Sequence, residues 1–270
     1  MRGRQIALAL ALIGSVVALA GCSVTKAIDP IAGAATKTEQ NSAKLSLSAS
    51  VTTPAGETYS LTASGVLDKQ QGDVTVNLPE SNSQAELRYL EENGDLVLYV
   101  NSAELSSKLP GDKPWVRVDL QQLGEKLGVD VGKLLDGANT NPGQILDLLQ
   151  STGSVSTVGT ETVDGTSTTH YKATIQLDQL AGKLGGSVGQ VAYDELVSKG
   201  APSTVPVDVW TGDDGLVRRV SIDDSLTVSG QTATLKLQLD VSDYGTAANV
   251  TAPPSDQVFD VSGLISSFVH

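Results

Sequence analysis

The chain has 270 residues, of which 40% are hydrophobic and 18% are charged, and its formal net charge is −13. An acidic surface repels phosphate groups, so we expect no nucleic-acid partner, and the composition is typical neither of a disordered chain nor of a protein with many membrane spans. One cysteine and two histidines exclude a disulfide framework and the usual zinc clusters, so we expect no metal and no cofactor.

The first 22 residues have the pattern of a lipoprotein signal peptide. Arg2 and Arg4 form a short basic region, and residues 6–20 form an apolar stretch of signal-peptide length. The stretch ends in Leu-Ala-Gly-Cys22, which resembles the bacterial lipobox, in which the cysteine thiol is acylated and the peptide is cleaved just before it. We therefore predict a signal peptide over residues 1–21 and lipidation of Cys22, outside the cytoplasmic membrane. The alternative is an ordinary signal peptide with an accidental cysteine.

Residues 22–41 are mostly small and polar, with Pro30 interrupting them. This composition is typical of a tether that spaces a domain from the membrane, and we expect it to become helical near residues 34–40. The remaining residues, 42–270, are then one domain.

From Lys44 onward the hydrophobic period becomes two, which indicates strands with one buried face. Turn signals separate the strands, among them Asn93-Gly94 and Asp164-Gly165, which tolerate the positive φ of tight hairpins, and also Gln71-Gly72. Counting gives roughly eleven strands, mostly antiparallel. The predicted fold class is therefore α+β, mostly antiparallel β, with an open half-barrel covered by short helices. The clearest alternating runs are residues 45–51, 61–67, 74–78, 85–89, 169–177 and 233–241.

Two interruptions of the strand pattern predict helices. In the first, the leucines at 120, 123 and 127 recur at helical spacing and continue to Val131 and Leu134. A second helix of the same interruption is predicted to begin at Asn141, as its N-cap followed by Pro142, and to end at Gly153. The second interruption covers residues 178–200. A sheet with one apolar face needs a cover, and these segments are the candidates.

A curved sheet of this kind has a concave face lined by aliphatic side chains. Such a face could enclose a groove for acyl chains, or it could be a filled aliphatic core, and the pattern fits both. Small residues on the apolar faces take little volume: Ala49, Ala63, Gly65 and Ala173. The predicted lining residues of the cavity are Leu87, Val118, Leu146, Leu149, Ala173, Ile175 and Leu237.

Four short motifs follow one another along the chain: PWVRVD at 114–119, VDGTSTTHY at 163–171, PVDVW at 206–210 and GLVRRV at 215–220. With the lipobox before them, they resemble the actinobacterial lipoprotein family typified by LppX, LprA, LprF and LprG. That family is similar in fold to the lipoprotein carriers LolA and LolB. The resemblance implies an open eleven-stranded half-barrel with an apolar cavity for the acyl chains of lipids or glycolipids. It implies no catalytic site.

Several side chains near these motifs have a structural and a functional interpretation. Trp115 and Trp210 are expected to be packing anchors, the alternative being a gate to the cavity. His170 lies on the polar face opposite Tyr171, so we expect a solvated strand residue and not a base. Arg218 and Arg219 point to opposite faces, so one of the two would face the apolar side or the rim, where it could meet a lipid headgroup.

Two functions remain open from the sequence. The first is a membrane-anchored carrier or chaperone that binds lipid or glycolipid. The second is a non-enzymatic, lipid-anchored module with a filled core that supports a membrane-protein partner. We expect no enzyme, because no nucleophile motif stands in a suitable context.

Overall fold

A computed structural model of the chain describes residues 33–34, 37–38, 40–68, 70–108, 111–127, 155–177, 193–194, 197–198, 202–228 and 230–261. Several of the predictions lie outside these residues. They are the signal peptide, the acylation of Cys22, the helix that begins at Asn141 with Leu146 and Leu149, and most of the segment 178–200.

The described strands form one sheet of twelve, in the order β12-β6-β5-β4-β3-β2-β1-β11-β10-β9-β8-β7. Among the described residues, β12 and β7 are the two edges of this sheet, so it is not closed into a barrel. The strands are β1 Ala43–Thr52, β2 Thr58–Leu67, β3 Gln71–Leu78, β4 Ser83–Glu92, β5 Asp95–Ser102, β6 Trp115–Asp119, β7 Ser156–Val163, β8 Thr166–Gln176, β9 Thr204–Gly212, β10 Val217–Val228, β11 Gln231–Ser242 and β12 Val258–Asp260.

The predicted fold class is confirmed, with one strand more than the roughly eleven expected. Every strand pair is antiparallel except β12 with β6, which is parallel. β12 has only three residues, too few for an alternating pattern to reveal it.

Two short α-helices have described bounds, α1 Ala103–Ser106 and α2 Leu120–Leu127, and two single-turn 3-10 helices cover Pro79–Ser81 and Ser255–Gln257. α2 confirms the start of the first helical interruption, and residues 193–194 and 197–198 of the second are also helical. The backbone amide of Gln122 donates to Asp119 Oδ1 over 3.0 Å, so the last residue of β6 caps α2. α2 packs against β5 and β6.

The hairpin turns follow the predicted chemistry with one exception. Asn93 and Gly94 have φ of 57° and 93°, and Asp164 and Gly165 have 46° and 80°, as two-residue turns require. The turn predicted at Gln71-Gly72 is wrong, because these residues begin β3. The chain turns just before them, at Asp68, whose Oδ1 accepts 2.8 Å hydrogen bonds from the amides of residues 70 and 71.

Gly72 is a glycine for a packing reason. A Cβ at this position would lie 2.3 Å from Leu67 Cδ2 and 2.3 Å from Tyr89 Cε1. The Tyr89 ring therefore occupies the space over the backbone of β3 that a side chain would need.

One face of the sheet carries the main core, and we call it the apolar face. In the strand register, Leu237 lies opposite Ala49, and Ala49 lies opposite Leu61. Residues directly opposite each other on neighbouring strands point to the same face, so these three side chains lie on one side of the sheet. The buried cluster on this face consists of Ala43, Leu47, Ala49, Leu61, Leu237, Leu239 and Val241.

The opposite face has a smaller apolar cluster under the C-terminal part of the chain. Trp115 is buried there with Val97 and Tyr99, and the Arg88 guanidinium carbon lies 4.8 Å from the centre of the tryptophan ring. The chain after β11 crosses this face: the Val250 amide donates to a β3 side chain, and Arg88 donates to a carbonyl of the same segment. Trp115 is therefore a packing anchor on the face away from the predicted cavity.

Candidate functional site

The register places the described lining candidates on one face. Following the strand pairs outward from Leu237 puts Leu87, Val118 and Ala173 on the apolar face with it, and the backbone of Ile175 pairs with Val205 two positions further along β8. Together these residues span the sheet from β6 to β8. Their role as cavity lining stays a prediction.

Burial along the apolar face is uneven. Leu237 and Ala173 are 6% and 7% exposed, whereas Leu87 and Val118 are half-buried. The half-buried positions continue across the strands on the β6 side of the sheet. They are Val74, Leu87, Leu98, Val100 and Val118. Val76 and Val116 interrupt this half-buried region, since both lie on the apolar face and are only 3% and 2% exposed.

The end of the predicted tether packs on the other half. Ala34 is 2% exposed, in a cluster with Ala173, Val207, Val209 and Val217 of β8, β9 and β10. Residues 33–34 and 37–38 are helical, as expected for this segment. The sequence predicted the helix but gave no sign of its contact, because a single alanine carries no periodicity. We call the described residues 33–34 and 37–38 the N-terminal segment, and Ala34 is the residue through which this segment packs on the apolar surface of β8–β10.

Two hydrogen bonds hold the N-terminal segment at the β9–β10 turn. Lys37 Nζ donates to the Asp214 carbonyl over 2.6 Å, and the Val217 amide donates to Thr38 Oγ1 over 2.9 Å. The Tyr244 hydroxyl, in turn, donates to the Val217 carbonyl. These hydrogen bonds connect the residues just before β1 with the β9–β10 turn and with the residues just after β11.

Tyr89 fills part of the apolar face near the β2–β3 turn. Its hydroxyl donates to the Asp68 carbonyl, and burial raises the pKa of Tyr89 far above its usual range. The hydroxyl therefore stays protonated, as a hydrogen-bond donor. The ring of Tyr89 therefore fills space on the apolar face. The alternating pattern of the sequence could not distinguish such a space-filling residue from one that lines a cavity.

The small residues predicted to leave room lie on the apolar face, but they are used for packing. Ala49 and Ala173 are buried in the two clusters of this face, and Ala63 packs against the first of them. A Cβ on Gly65 would lie 2.1 Å from the Asp73 carbonyl oxygen, so this glycine permits a close approach of β2 and β3. Small size at these positions does not by itself indicate an open groove.

The two arginines of the GLVRRV motif each contact a carboxylate. Arg219 pairs directly with Asp240 in the register of β10 with β11, and its Nε lies 2.5 Å from Asp240 Oδ1. Arg218 Nη2 lies 2.5 Å from Asp214 Oδ2, and its guanidinium carbon lies 4.9 Å from the centre of the Tyr244 ring. Each arginine is therefore paired with a carboxylate, and a charge that is already paired attracts a headgroup phosphate less.

The pKa of Asp214 reflects this pairing with Arg218. Although burial raises its pKa, hydrogen bonds from the Leu216 amide and from Arg218 outweigh that effect and hold the pKa of Asp214 below its usual range. Arg218 Nη1 is buried and has no hydrogen-bond partner among the described residues.

His170 is not solvated, which corrects the sequence interpretation. It is only 7% exposed, and its two ring nitrogens contact Glu161 of β7 and Asp208 of β9. The Trp210 ring stacks on it with the ring centres 4.2 Å apart, and Trp210 Nε1 donates to Glu161 Oε2 over 2.8 Å. Hydrogen bonds from Trp210 and then from His170 lower the pKa of Glu161. The interpretation missed this cluster because its members lie on three different strands.

The described residues contain no group of three or more histidine, cysteine or acidic side chains placed to hold a metal ion. In the same part of the chain, no helix has the length and the apolar character needed to cross a membrane.

No family model matches the chain. An uncharacterised 31.2 kDa protein of Streptomyces griseus is 24% identical over 228 residues, which cover 79% of this chain and 73% of that protein. A candidate lipoprotein of Streptomyces coelicolor is 28% identical over 232 residues, which cover 80% of this chain and 70% of that protein.

Two solved structures are similar to this one at low sequence identity. LprF from Mycobacterium bovis has a TM-score of 0.45 and 17% identity, with coverage of 83% of this chain and 94% of LprF. The Mycobacterium tuberculosis lipoprotein LppX has a TM-score of 0.33 and 18% identity, with coverage of 82% of this chain and 96% of LppX. LprF and LppX are both members of the lipoprotein family that the motifs around Trp115 and Trp210 resemble.

Proposed function

We propose that the chain is an envelope lipoprotein, anchored to the membrane through Cys22, that binds the acyl chains of lipids or glycolipids on its apolar face. In this role it carries or chaperones the lipid within the cell envelope. The proposed activity is binding and not catalysis. The lipobox-like sequence supports the anchor, and the arrangement of the sheet supports the binding surface.

The observation that carries the proposal is the continuity of the apolar face. The strand pairs from β6 to β8 align Leu87, Val118, Ala173 and Leu237 on the same side, and the register shift of β9 with β10 lies outside the pairs that connect these residues. A largely aliphatic surface of this kind gains free energy by covering hydrocarbon, at about 25 cal/mol per Å² of apolar surface removed from water. An alkyl chain is the ligand that such a surface fits.

The half of the face formed by β3–β6 is the favoured binding region. Val74, Leu87, Val100 and Val118 are half-buried there, whereas Ala34 already covers the β8–β10 half. The arginines at the β10 end are paired with Asp214 and Asp240, so the proposed contacts are with the acyl chains and not with a headgroup phosphate.

A second candidate function is the lipid-anchored interaction module with a filled core. Tyr89 and the N-terminal segment favour it, because each fills part of the apolar face with the chain's own atoms. In that case the anchored domain would present its surface to a membrane-protein partner and hold no lipid.

The test is to identify bound lipid directly. The full chain with Cys22→Ser, which cannot be acylated, is purified without detergent, extracted with organic solvent and examined by mass spectrometry. Co-purified lipid at a reproducible ratio to protein supports the carrier. Extracts without lipid, together with no uptake of an added fluorescent fatty acid, would leave the interaction module.

A pair of variants locates the binding surface. Leu87→Gln puts a polar group on the apolar face of β4, and Glu86→Gln alters the opposite face of the same strand. We expect the first to lower the uptake of the fluorescent fatty acid several-fold and the second to leave uptake unchanged. Equal uptake by both variants would contradict the assignment of the apolar face.

A further inference from the structure

His170 joins three strands at one edge of the sheet. Its Nδ1 lies 2.9 Å from Glu161 Oε1 on β7, and its Nε2 lies 2.6 Å from Asp208 Oδ1 on β9. β7 is an edge strand that pairs only with β8 among the described strands. The histidine contacts therefore supplement the single backbone ladder that holds β7.

The two contacts together constrain which nitrogens of the ring can donate a hydrogen bond. A neutral imidazole has one N–H and one nitrogen lone pair, and an ionised carboxylate can only accept hydrogen bonds. Both short contacts are hydrogen bonds only if both ring nitrogens donate, which is the cationic form. A neutral ring would direct its lone pair at one of the carboxylates.

The surroundings favour a cation on this ring. Trp210 stacks on His170 with 13° between the ring planes, which lets the indole face contact a positive ring. Trp210 Nε1 also fixes Glu161 by donating to its second oxygen. The charged groups that face the histidine are thus Glu161 from β7 and Asp208 from β9.

Two other cations lie nearby, and neither takes the place of the imidazolium. Lys172 of β8 reaches Asp208 Oδ1 only at 4.0 Å, and its side chain is 63% exposed. Arg219 of β10 pairs with Trp210 in the strand register, but its guanidinium contacts Asp240.

We propose that His170 carries both ring protons in the folded protein and acts as a pH-sensitive clasp that holds the edge strand β7 to β8 and β9. Loss of one proton at higher pH removes one of the two hydrogen bonds and the attraction to both carboxylates. β7 then depends on its ladder with β8 and opens more often. The clasp is independent of lipid binding.

The first measurement establishes the protons. The chain has two histidines, so ¹⁵N-histidine labelling of the full-length protein in detergent gives signals from two imidazoles, and His170→Gln assigns one of them. We expect both nitrogens of His170 to show the protonated signature at neutral pH. A nitrogen with a free lone pair under those conditions would overturn the proposal.

The second measurement establishes the clasp. Hydrogen exchange of β7 amides, corrected for intrinsic rates, is compared at about pH 5.5 and about pH 8.5, on either side of the range in which histidine titrates. We expect protection of β7 to fall about tenfold at the higher pH, as for the loss of a charge-assisted hydrogen bond, while β3 stays constant. His170→Gln should remove this difference.

Two further variants keep the test decisive. Lys172→Gln removes an exposed charge from the same strand and should retain the pH dependence of β7. Glu161→Gln removes the ionised partner on β7 and should weaken that dependence, even if His170→Gln does not fold. A wild-type pH dependence that survives both His170→Gln and Glu161→Gln would refute the clasp, and so would its absence in the wild type.

Discussion

Replacing Ala34 by Asp should release the N-terminal segment from the sheet while the domain stays folded. Ala34 is 2% exposed among Ala173 and three valines, where an ionised carboxylate has no partner among the described side chains of the cluster. A helical segment at the start of a domain can leave more cheaply than the charge can be buried. The expected loss is therefore limited to what holds the segment in place.

That limit follows from the contacts of the segment. The hydrogen bonds made by Lys37 and Thr38 contribute about 1 kcal/mol each, and burial of the Ala34 methyl adds about 0.8 kcal/mol. The free energy of unfolding should thus fall by at most about 3 kcal/mol. For a domain of roughly 150–250 residues this lowers the Tm by about 6–12 °C.

The assay combines thermal unfolding with limited proteolysis of the segment before β1. The matched control is Gly33→Asp, which adds the same charge one residue earlier, where a Cβ meets no atom within 4 Å. We expect Ala34→Asp alone to lower the Tm and to make the segment cleavable. Equal Tm values for the two variants would show that the packing of Ala34 does not matter. A loss far above about 3 kcal/mol would show that the segment is part of the core.

Three other predictions test other parts of the structure. Gly65→Ala should cost about 1–3 kcal/mol in urea unfolding, because the new methyl meets the backbone of β3, whereas Gly159→Ala, with no atom within 4 Å, should be nearly neutral. Tyr89→Phe should lower the free energy of unfolding by about 0.5–1.5 kcal/mol, since the Asp68 carbonyl loses its donor; an unchanged value would contradict that bond. Cys22→Ser should abolish acylation, and the protein should then leave the membrane fraction or stay unprocessed; a processed chain that is retained at wild-type levels after an alkaline wash would refute the lipoprotein assignment.

The two halves of the apolar face differ in what lies on them, and this difference selects the proposed binding region. The N-terminal segment lies on β8–β10, so the proposed binding region is the surface of β3–β6, where the ring of Tyr89 fills the end near the β2–β3 turn. The same segment leads back to the predicted anchor at Cys22. Release of the segment would therefore enlarge the apolar surface next to the membrane-attached end of the domain.

The sequence alone indicated the strands and the side of each strand that is buried. Alternation is a property of neighbouring residues, so Leu47, Ala49 and Leu237 could each be assigned to the buried side of its own strand without knowledge of any strand partner. The Asn93-Gly94 turn was predictable for the same reason, because a positive φ depends on the two residues that adopt it. The prediction of a turn at Gln71-Gly72 was wrong because Gly72 is required by the ring of Tyr89, 17 positions away, which fills the space of a side chain.

Only the tertiary structure decided which distant residues meet. Glu161, His170 and Asp208 come together through the registers of β7 with β8 and of β8 with β9, and a shift of one residue in either register would separate them. Ala34 likewise meets β9 across more than 170 positions of the chain. Local patterns determine the conformation and the buried side of each strand because they act over a few residues. Contacts between strands depend on the pairing of the whole sheet, which the strands determine only together.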